Sequence, residues 1–458
     1  MMSEKQPLQT TTTSPLGPGG CCRDELWAPK LMYTVFAAGQ SAINNYLPVF
    51  FQHTAHFSKM QIGLLQTLPS VCALLAPPFW GALADRLQQQ RLVHIVCIVT
   101  GALLMFSIQF VRSFDTMVLV AVLGNFQTAP CGSMLDHAVL DMLSKVGGEY
   151  GKQRLFGAVG YGTGAYVTGL VVGVAGIAWS FNLSLVLSLL TLLVLRSIPA
   201  MKRTVDSASS IEAGKAMNKL DAPPSFVAGL RLLLHRVDVI ALLFVVFCMG
   251  LMFGVLTSFL TLNLYNLSGN NAQIIGVAIM CETSSELPAF FFSHRIIQKL
   301  GTVNVLLLSI AGYALRITFY ATMTNAWSAI PFEFLHGLTF GIAWAATTQY
   351  IYAASPKGFE GTVMGILNAV QNGLGRGAGT LIGGYLYQHH GAQVMWWTTD
   401  LGVPLALIGL VVFAFAKNRN DAVAETEELL ENAELFSPHF ADPQALKSPG
   451  FASYDPVS

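Results

Sequence analysis

Apolar residues come along this chain in blocks of about 20, each long enough to cross a hydrocarbon layer roughly 30 Å thick at about 1.5 Å of rise per helical residue. Six such blocks fall at 31–51, 62–83, 92–111, 117–140, 155–175 and 177–195, and six more at 239–264, 274–297, 303–321, 327–351, 362–386 and 394–415. The stretch 199–236 between the sets is polar, contains Pro223-Pro224 and is rich in Lys and Arg. The pattern predicts an all-α membrane protein of twelve transmembrane helices in two six-helix bundles, 31–198 and 237–416, joined by a cytoplasmic linker at 199–236. Residues 1–30 are polar and Pro/Gly-rich, without the short apolar core of a cleaved secretory signal, and 417–458 are acidic; both read as disordered cytoplasmic tails.

Composition removes the soluble alternatives. Of 458 residues 53% are hydrophobic and 11% charged, against roughly 25% charged in a soluble domain, so a lipid bilayer is the main solvent. Net charge is zero and no long basic run occurs, so nothing suggests a nucleic-acid face. With both termini cytoplasmic, Lys59 and Arg112 lie outside, Arg154, Arg316 and Arg376 lie within helices, and every other Lys and Arg lies inside, as basic residues do. The seven cysteines show no CxxC spacing or disulfide framework, and no Walker motif, dinucleotide fingerprint, metal cluster or paired nucleophile and base occurs. No cofactor, metal or enzymatic activity is expected, and a monomer is. Cys21-Cys22 is a palmitoylation candidate, and the acidic dileucine stretch 425–430 makes an endosomal or vacuolar membrane as good a destination as the plasma membrane.

Ionisable groups inside a membrane usually face a cavity or a partner. Here they are Asp136, His137 and Asp141 in the fourth block, Arg154 before the fifth, Glu282 and Glu286 one turn apart on one face of the eighth, Arg316 in the ninth, Glu333 and His336 in the tenth, and Arg376 in the eleventh. Gln40, Ser41, Asn44 and Asn45 add a polar stripe in the first block, suited to a hydroxylated or amide-bearing solute or to interhelical hydrogen bonds. Arg376, between Gly375 and Gly377, reads equally as a solute contact or as a donor to a neighbouring helix. The two halves echo one another: Gly157, Gly160, Gly162 and Gly164 have counterparts in Gly373, Gly375, Gly377 and Gly379. Duplicated halves with a site between them are a transporter plan.

Gly81-Ala82-Leu83-Ala84-Asp85-Arg86-Leu87, followed by Arg91, resembles the loop signature of the major facilitator superfamily, with Gln88 where the signature has its second glycine. Asp85 and Arg86 would form a conformational latch there. The run from Tyr150 to Tyr161 is similar to the fifth-helix segment of the lactose permease branch, and Asp136, 18 residues before Arg154, falls at its sugar-binding glutamate. Arg316 and His336 match its coupling arginine and histidine, and 334–351 and 383–387 resemble the "associated domain" relatives, so the resemblance spans 31–415. It implies that Asp136 and Arg154 hold solute hydroxyls from opposite sides, that Tyr161 stacks on the solute, and that Arg316 and His336 belong to a proton-linked network. Thr339 stands where the permease has its proton-carrying glutamate, and Asn372 near its lysine. Lactose is therefore not expected. A substitute carrier is needed, and Glu282 with Glu286, two nearby carboxylates that resist double ionisation, is the first choice, Glu333 the second. Three readings stay open: a proton symporter of a small polar solute (a sugar, nucleoside or organic acid), a uniporter of the same solutes, and a non-transporting receptor on this fold.

Overall fold

The structure is a computed structural model that describes residues 26–87, 89–146, 150–197, 236–355 and 360–436. Residues 1–25 of the expected N-terminal tail, with Cys21-Cys22, and nearly all of the linker lie outside the described residues, whereas residues 27–30, expected to be disordered, form the first turn of the first helix. No strand occurs among the described residues. In chain order the helices are α1 (Trp27–Asn44), α2 (Leu47–His53), α3 (Lys59–Leu87), α4 (Gln90–Ser107), α5 (Phe114–Val146), α6 (Tyr150–Ala175), α7 (Trp179–Leu195), α8 (Val237–Leu267), α9 (Gln273–Thr322), α10 (Ile330–Glu333), α11 (Ala343–Ala354), α12 (Glu360–Asn368), α13 (Arg376–Asp400) and α14 (Gly402–Phe436). Two π-helical segments, Gly337–Ile342 and Ala369–Gly375, join α10 to α11 and α12 to α13.

Among the described residues, seven helical runs are long and apolar enough to cross a membrane. Two of them double back. Residues 282 and 316 of a straight helix would lie about 50 Å apart at about 1.5 Å per residue, yet their side chains meet at 3.2 Å. The reversal is at Gly301, whose φ of 77° favours a residue without Cβ. Gly391 (φ 84°) does the same in α13: Gly379 and Gly402, on either side of it, abut neighbouring residues of α8, Leu251 and Met252. The apolar blocks read from the sequence thus fall on helical backbone, broken by turns at 45–46, 334–335 and 401.

The expectation for the C-terminal tail is corrected too. Residues 417–436 are helical, continuing α14, where a disordered tail was expected. Ala, Glu and Leu dominate this stretch, all strong helix formers, and Lys417 pairs with Asp421 one turn on.

α1 packs on α6 and α7, and α5 on α3 and α4; separately, α8 packs on α13 and α14, and α9 on the first π segment and α11. The two groups meet through α6 against α9 and α3 against α13. Glycines set these crossings. A Cβ on Gly63 would sit 3.1 Å from Gly384 Cα, and one on Gly276 would sit 2.8 Å from Ala165 O. These contacts, with Asn266 bonded to His53 and Gln388 to Lys59 N, gather at the end of the molecule away from Trp27 and Lys417. At the other end, added Cβ atoms on Gly81, Gly151 and Gly365 would meet nothing within 4 Å. The contacts between the groups thus gather far from the described chain ends, with the cleft between the groups lying toward those ends from them. The outer surface is apolar: Val174, Phe415 and Phe291 are 91%, 74% and 73% exposed, as side chains facing lipid would be.

Candidate functional site

The second group carries a buried ionic network. Burying a guanidinium is costly unless carboxylates and further acceptors surround it, and three segments converge to supply them. Gly312 lets the second half of α9 approach Thr339, and Gly337, whose Cβ would collide with Ser285 O at 2.2 Å, lets the π segment lie against the first half. Arg316 then donates from Nη2 to Glu333 Oε2 (2.8 Å) and Glu282 Oε1 (3.2 Å), from Nε to Tyr320 OH (3.1 Å), and from Nη1 to Thr339 Oγ1 (3.1 Å). Tyr320 OH donates to Glu333 Oε1 at 2.6 Å. Arg316 and Glu333 are 1% and 0% exposed, whereas the Glu282 and Glu286 side chains keep 18% and 19% and reach the cleft.

His336 links the remaining carboxylate. Its Nε2 lies 2.9 Å from Glu286 Oε1 and its Nδ1 3.3 Å from Arg316 Nη1. A neutral ring protonated at Nε2 satisfies both, donating to Glu286 and accepting from Arg316. Protonation at Nδ1 would turn that atom toward Glu282 Oε1, 3.5 Å away. Glu282, Glu286, Arg316, Glu333 and His336, singled out separately in the sequence, therefore form one cluster. The pairing within it differs from expectation: Glu282 and Glu286 share a face but hold different partners, and it is Glu282 and Glu333 that share Arg316, both bonded to its Nη2. The reason is the helical turn separating Glu282 from Glu286, against which Arg316 and His336 insert side by side.

In the first group, Asp136 and Arg154 form a pair with oxygens 2.5 and 2.6 Å from Nη1, and Tyr33 OH donates to Asp136 at 2.6 Å. They hold each other directly, each as the other's counter-charge. Arg154 remains 58% exposed. Tyr161 OH donates to Asn45 Oδ1 (3.4 Å), and Asn45 Nδ2 to Ser41 (3.1 Å), so this part of the polar stripe ties α1 to α6 beside the cleft. Gln40 is half-buried and Asn44 exposed, and neither makes a side-chain hydrogen bond among the described residues.

The glycine echo has a structural meaning. Gly160 and Gly164 seat α6 against Thr34 and Ala38 of α1, and Gly375 and Gly379 seat the start of α13 against Gly250 and Leu251 of α8. Gly162 and Gly377 face the opposite group, at Thr283 and Thr67. Tyr161 and Arg376 lie between these glycines at matching places in the two halves. Arg376 Cζ is 5.7 Å from the centre of the Phe253 ring, which stacks on Phe340 beside His336.

Arg86 is exposed at the end of α3, and the Asp85 side chain lies outside the described residues. Tyr33, Tyr320 and the bonded role of Thr339 were missed in the sequence. Tyr320 stands one turn from Arg316, a legible spacing; Tyr33 meets Asp136 from a distant helix and leaves no such sign.

Residues 26–398 match the MFS_1-like family. Similar curated proteins include the uncharacterized transporter YwbF of Bacillus subtilis (strain 168), 24% identical over 79% of this chain and 86% of its own length, and the maltose permease of Geobacillus stearothermophilus, 26% identical over 79% and 87%. Among solved structures, a crystal structure of the nucleoside transporter NupG superposes with a TM-score of 0.71 at 17% identity, over 85% of this chain and 99% of that one. The kinship with sugar permeases expected from the sequence is borne out, the fold is that of the superfamily's transporters, and the chain is a membrane transporter belonging to the MFS_1-like family of the major facilitator superfamily.

Proposed function

We propose that the chain is a proton-linked secondary transporter of a small polar solute bearing hydroxyls: a sugar, a nucleoside or an organic acid. It acts as a monomer that crosses the bilayer twelve times as two six-helix bundles, 31–198 and 237–416. Both termini are cytoplasmic, in the plasma membrane or an endosomal or vacuolar one.

The observation that carries this reading is the cluster in which three carboxylates meet one permanent cation and one imidazole. With His336 neutral, the cluster holds more negative than positive charge. Two carboxyls that share one guanidinium nitrogen, as Glu282 and Glu333 do, resist double ionisation, so one of them is stabilised by a proton. Solute hydroxyls arriving from the cleft reach Glu282, which unlike Glu333 keeps some exposure, and compete for the oxygen that Arg316 holds. Solute and proton occupancy are linked through that shared carboxylate, and His336 offers the proton a path to Glu286. Asp136 and Arg154 would part to bind the solute from the other side, with Tyr161, Asn45, Gln40 and Asn44 completing the pocket. Rocking the two groups about the glycine contacts would open the cleft to one side of the membrane and then to the other, with Asp85 and Arg86 as the latch.

The test is reconstitution in liposomes carrying a pH gradient, with labelled sugars, nucleosides and organic acids screened for accumulation. The unmodified protein is expected to concentrate its solute, and Glu282→Gln and Glu333→Gln to lose accumulation while keeping exchange at equal concentrations. Accumulation by both variants would move the proton site elsewhere; a wild-type protein indifferent to the gradient would be a uniporter.

A further inference from the structure

Two of the three arginines within the membrane region have a carboxylate: Arg154 holds Asp136 and Arg316 holds Glu333 and Glu282. Arg376 does not. Among the described residues it forms no ion pair, and its Nε is buried without a hydrogen-bond partner. It is half-buried, with the Phe253 ring under the guanidinium. A guanidinium cannot discharge itself by losing its proton, so the membrane interior leaves it with an unmet demand for an anion.

The backbone shows that this placement is built. The π segment Ala369–Gly375 ends immediately before Arg376, and Gly375 there sits against Gly250 Cα, 3.0 Å from an added Cβ. The other π segment starts immediately after His336. Single π turns insert a residue into a helix and re-aim the side chains beside them, and they recur at functional sites. Both are spent on charged or titratable side chains at the cleft.

We infer that Arg376 is the anion-binding group of the cleft and that the solute is a monocarboxylate carrying hydroxyls, a sugar acid or hydroxy acid rather than a neutral sugar. The inference rests on the transport reading above and narrows its solute. A guanidinium presents paired N–H donors that match a carboxylate. Glu282 and Glu286 are engaged by Arg316 and His336, so they accept hydroxyl hydrogens but repel a second negative charge. The solute is therefore singly charged, with its carboxylate on Arg376 and its hydroxyls toward the carboxylates.

The test compares D-glucuronate and D-galacturonate with the neutral D-glucose and D-galactose and with the dianion D-glucarate, by thermal stabilisation of the purified protein and by uptake into proteoliposomes. The uronates are expected to bind at least roughly tenfold more tightly than the neutral sugars and the dianion, a preference that Arg376→Gln abolishes and Arg376→Lys partly keeps. A second readout needs no variant: phenylglyoxal labelling of Arg376, followed by peptide mass, should be blocked by a uronate and not by its parent sugar. No protection by either uronate, equal protection by the parent sugar, or an unchanged preference in Arg376→Gln would each overturn the inference. A uronate that binds but is not carried would overturn the transport reading alone; neutral-sugar uptake indifferent to Arg376→Gln would overturn this one alone.

Discussion

The two helical groups are seated by the same glycine device yet treat charge in opposite ways. In α6, Gly160 and Gly164 bring α1 close and leave Tyr161 facing the cleft; in α13, Gly375 and Gly379 bring α8 close and leave Arg376 there. Around that common frame the first group holds the ion pair of Asp136 with Arg154, whose arginine is 58% exposed. The second buries Arg316 at 1% exposure among two carboxylates, a tyrosine, a threonine and a histidine. A pair near solvent can part at little cost. A buried network cannot lose a member without stranding another. The first suits a gate for solute, the second a store for a proton.

The largest expected effect comes from breaking the second group's network. Arg316→Gln leaves Glu333 buried without a cation, a loss of about 3–5 kcal/mol, and should sharply lower the thermal unfolding temperature in detergent. Adding Glu333→Gln should restore much of it, because the stranded charge is then gone. If the single and double variants unfold alike, the pair is not the source of that stability. Arg154→Gln is the matched substitution in the first group, and its stability cost should be about 1 kcal/mol or less. It and Asp136→Asn should nonetheless weaken solute binding roughly tenfold, the cost of losing one charged hydrogen-bond partner. Unchanged affinity in both folded variants would remove this pair from the site.

The glycines separate the groups further. A Cβ at Gly379 would lie 2.1 Å from the backbone oxygen of Leu251, so Gly379→Ala should destabilise by about 1–3 kcal/mol through overpacking. Gly377→Ala meets Thr67 at an ordinary 3.4 Å and should be nearly silent in the same melt. A comparable loss at both positions would mean that the close approach of α13 to α8 is not what Gly379 secures. Within the buried network a smaller effect than that of Arg316→Gln is expected at Tyr320→Phe, which removes the hydroxyl bonded to Glu333 and Arg316 but keeps the ring against Trp396. It should cost about 1–3 kcal/mol less than Arg316→Gln in unfolding free energy, while shifting the pH at which uphill uptake is half-maximal. An unaltered pH profile would separate Tyr320 from the proton site.

Much of this was legible in the sequence because the bilayer enforces simple rules. Apolar block length marked the helices, and charges inside them marked the cleft, since ionisable groups are retained in lipid for a reason. Glu282, Glu286, Arg316, Glu333 and His336 all proved to belong to one cluster. Their wiring was not legible: helical spacing put Glu282 beside Glu286, but which helix inserts Arg316 between Glu282 and Glu333 depends on the reversal at Gly301 and the close approach at Gly337. The lone status of Arg376 was equally hidden, because a sequence shows which charges exist and not which lack partners. The helical extension at 417–436 was misread because an acidic composition suggested a solvated coil, while its residues favour a helix in water as well.

The central claim, that solute and proton share the Glu282–Arg316–Glu333 cluster, is tested most directly by recording external pH in lightly buffered proteoliposomes when the solute found by the uptake screen is added. The unmodified protein should take up protons with the solute, and the medium should turn alkaline. Glu333→Gln should carry solute down its gradient with no pH change. Solute entry without proton uptake in the unmodified protein, or full proton uptake in Glu333→Gln, would contradict the account.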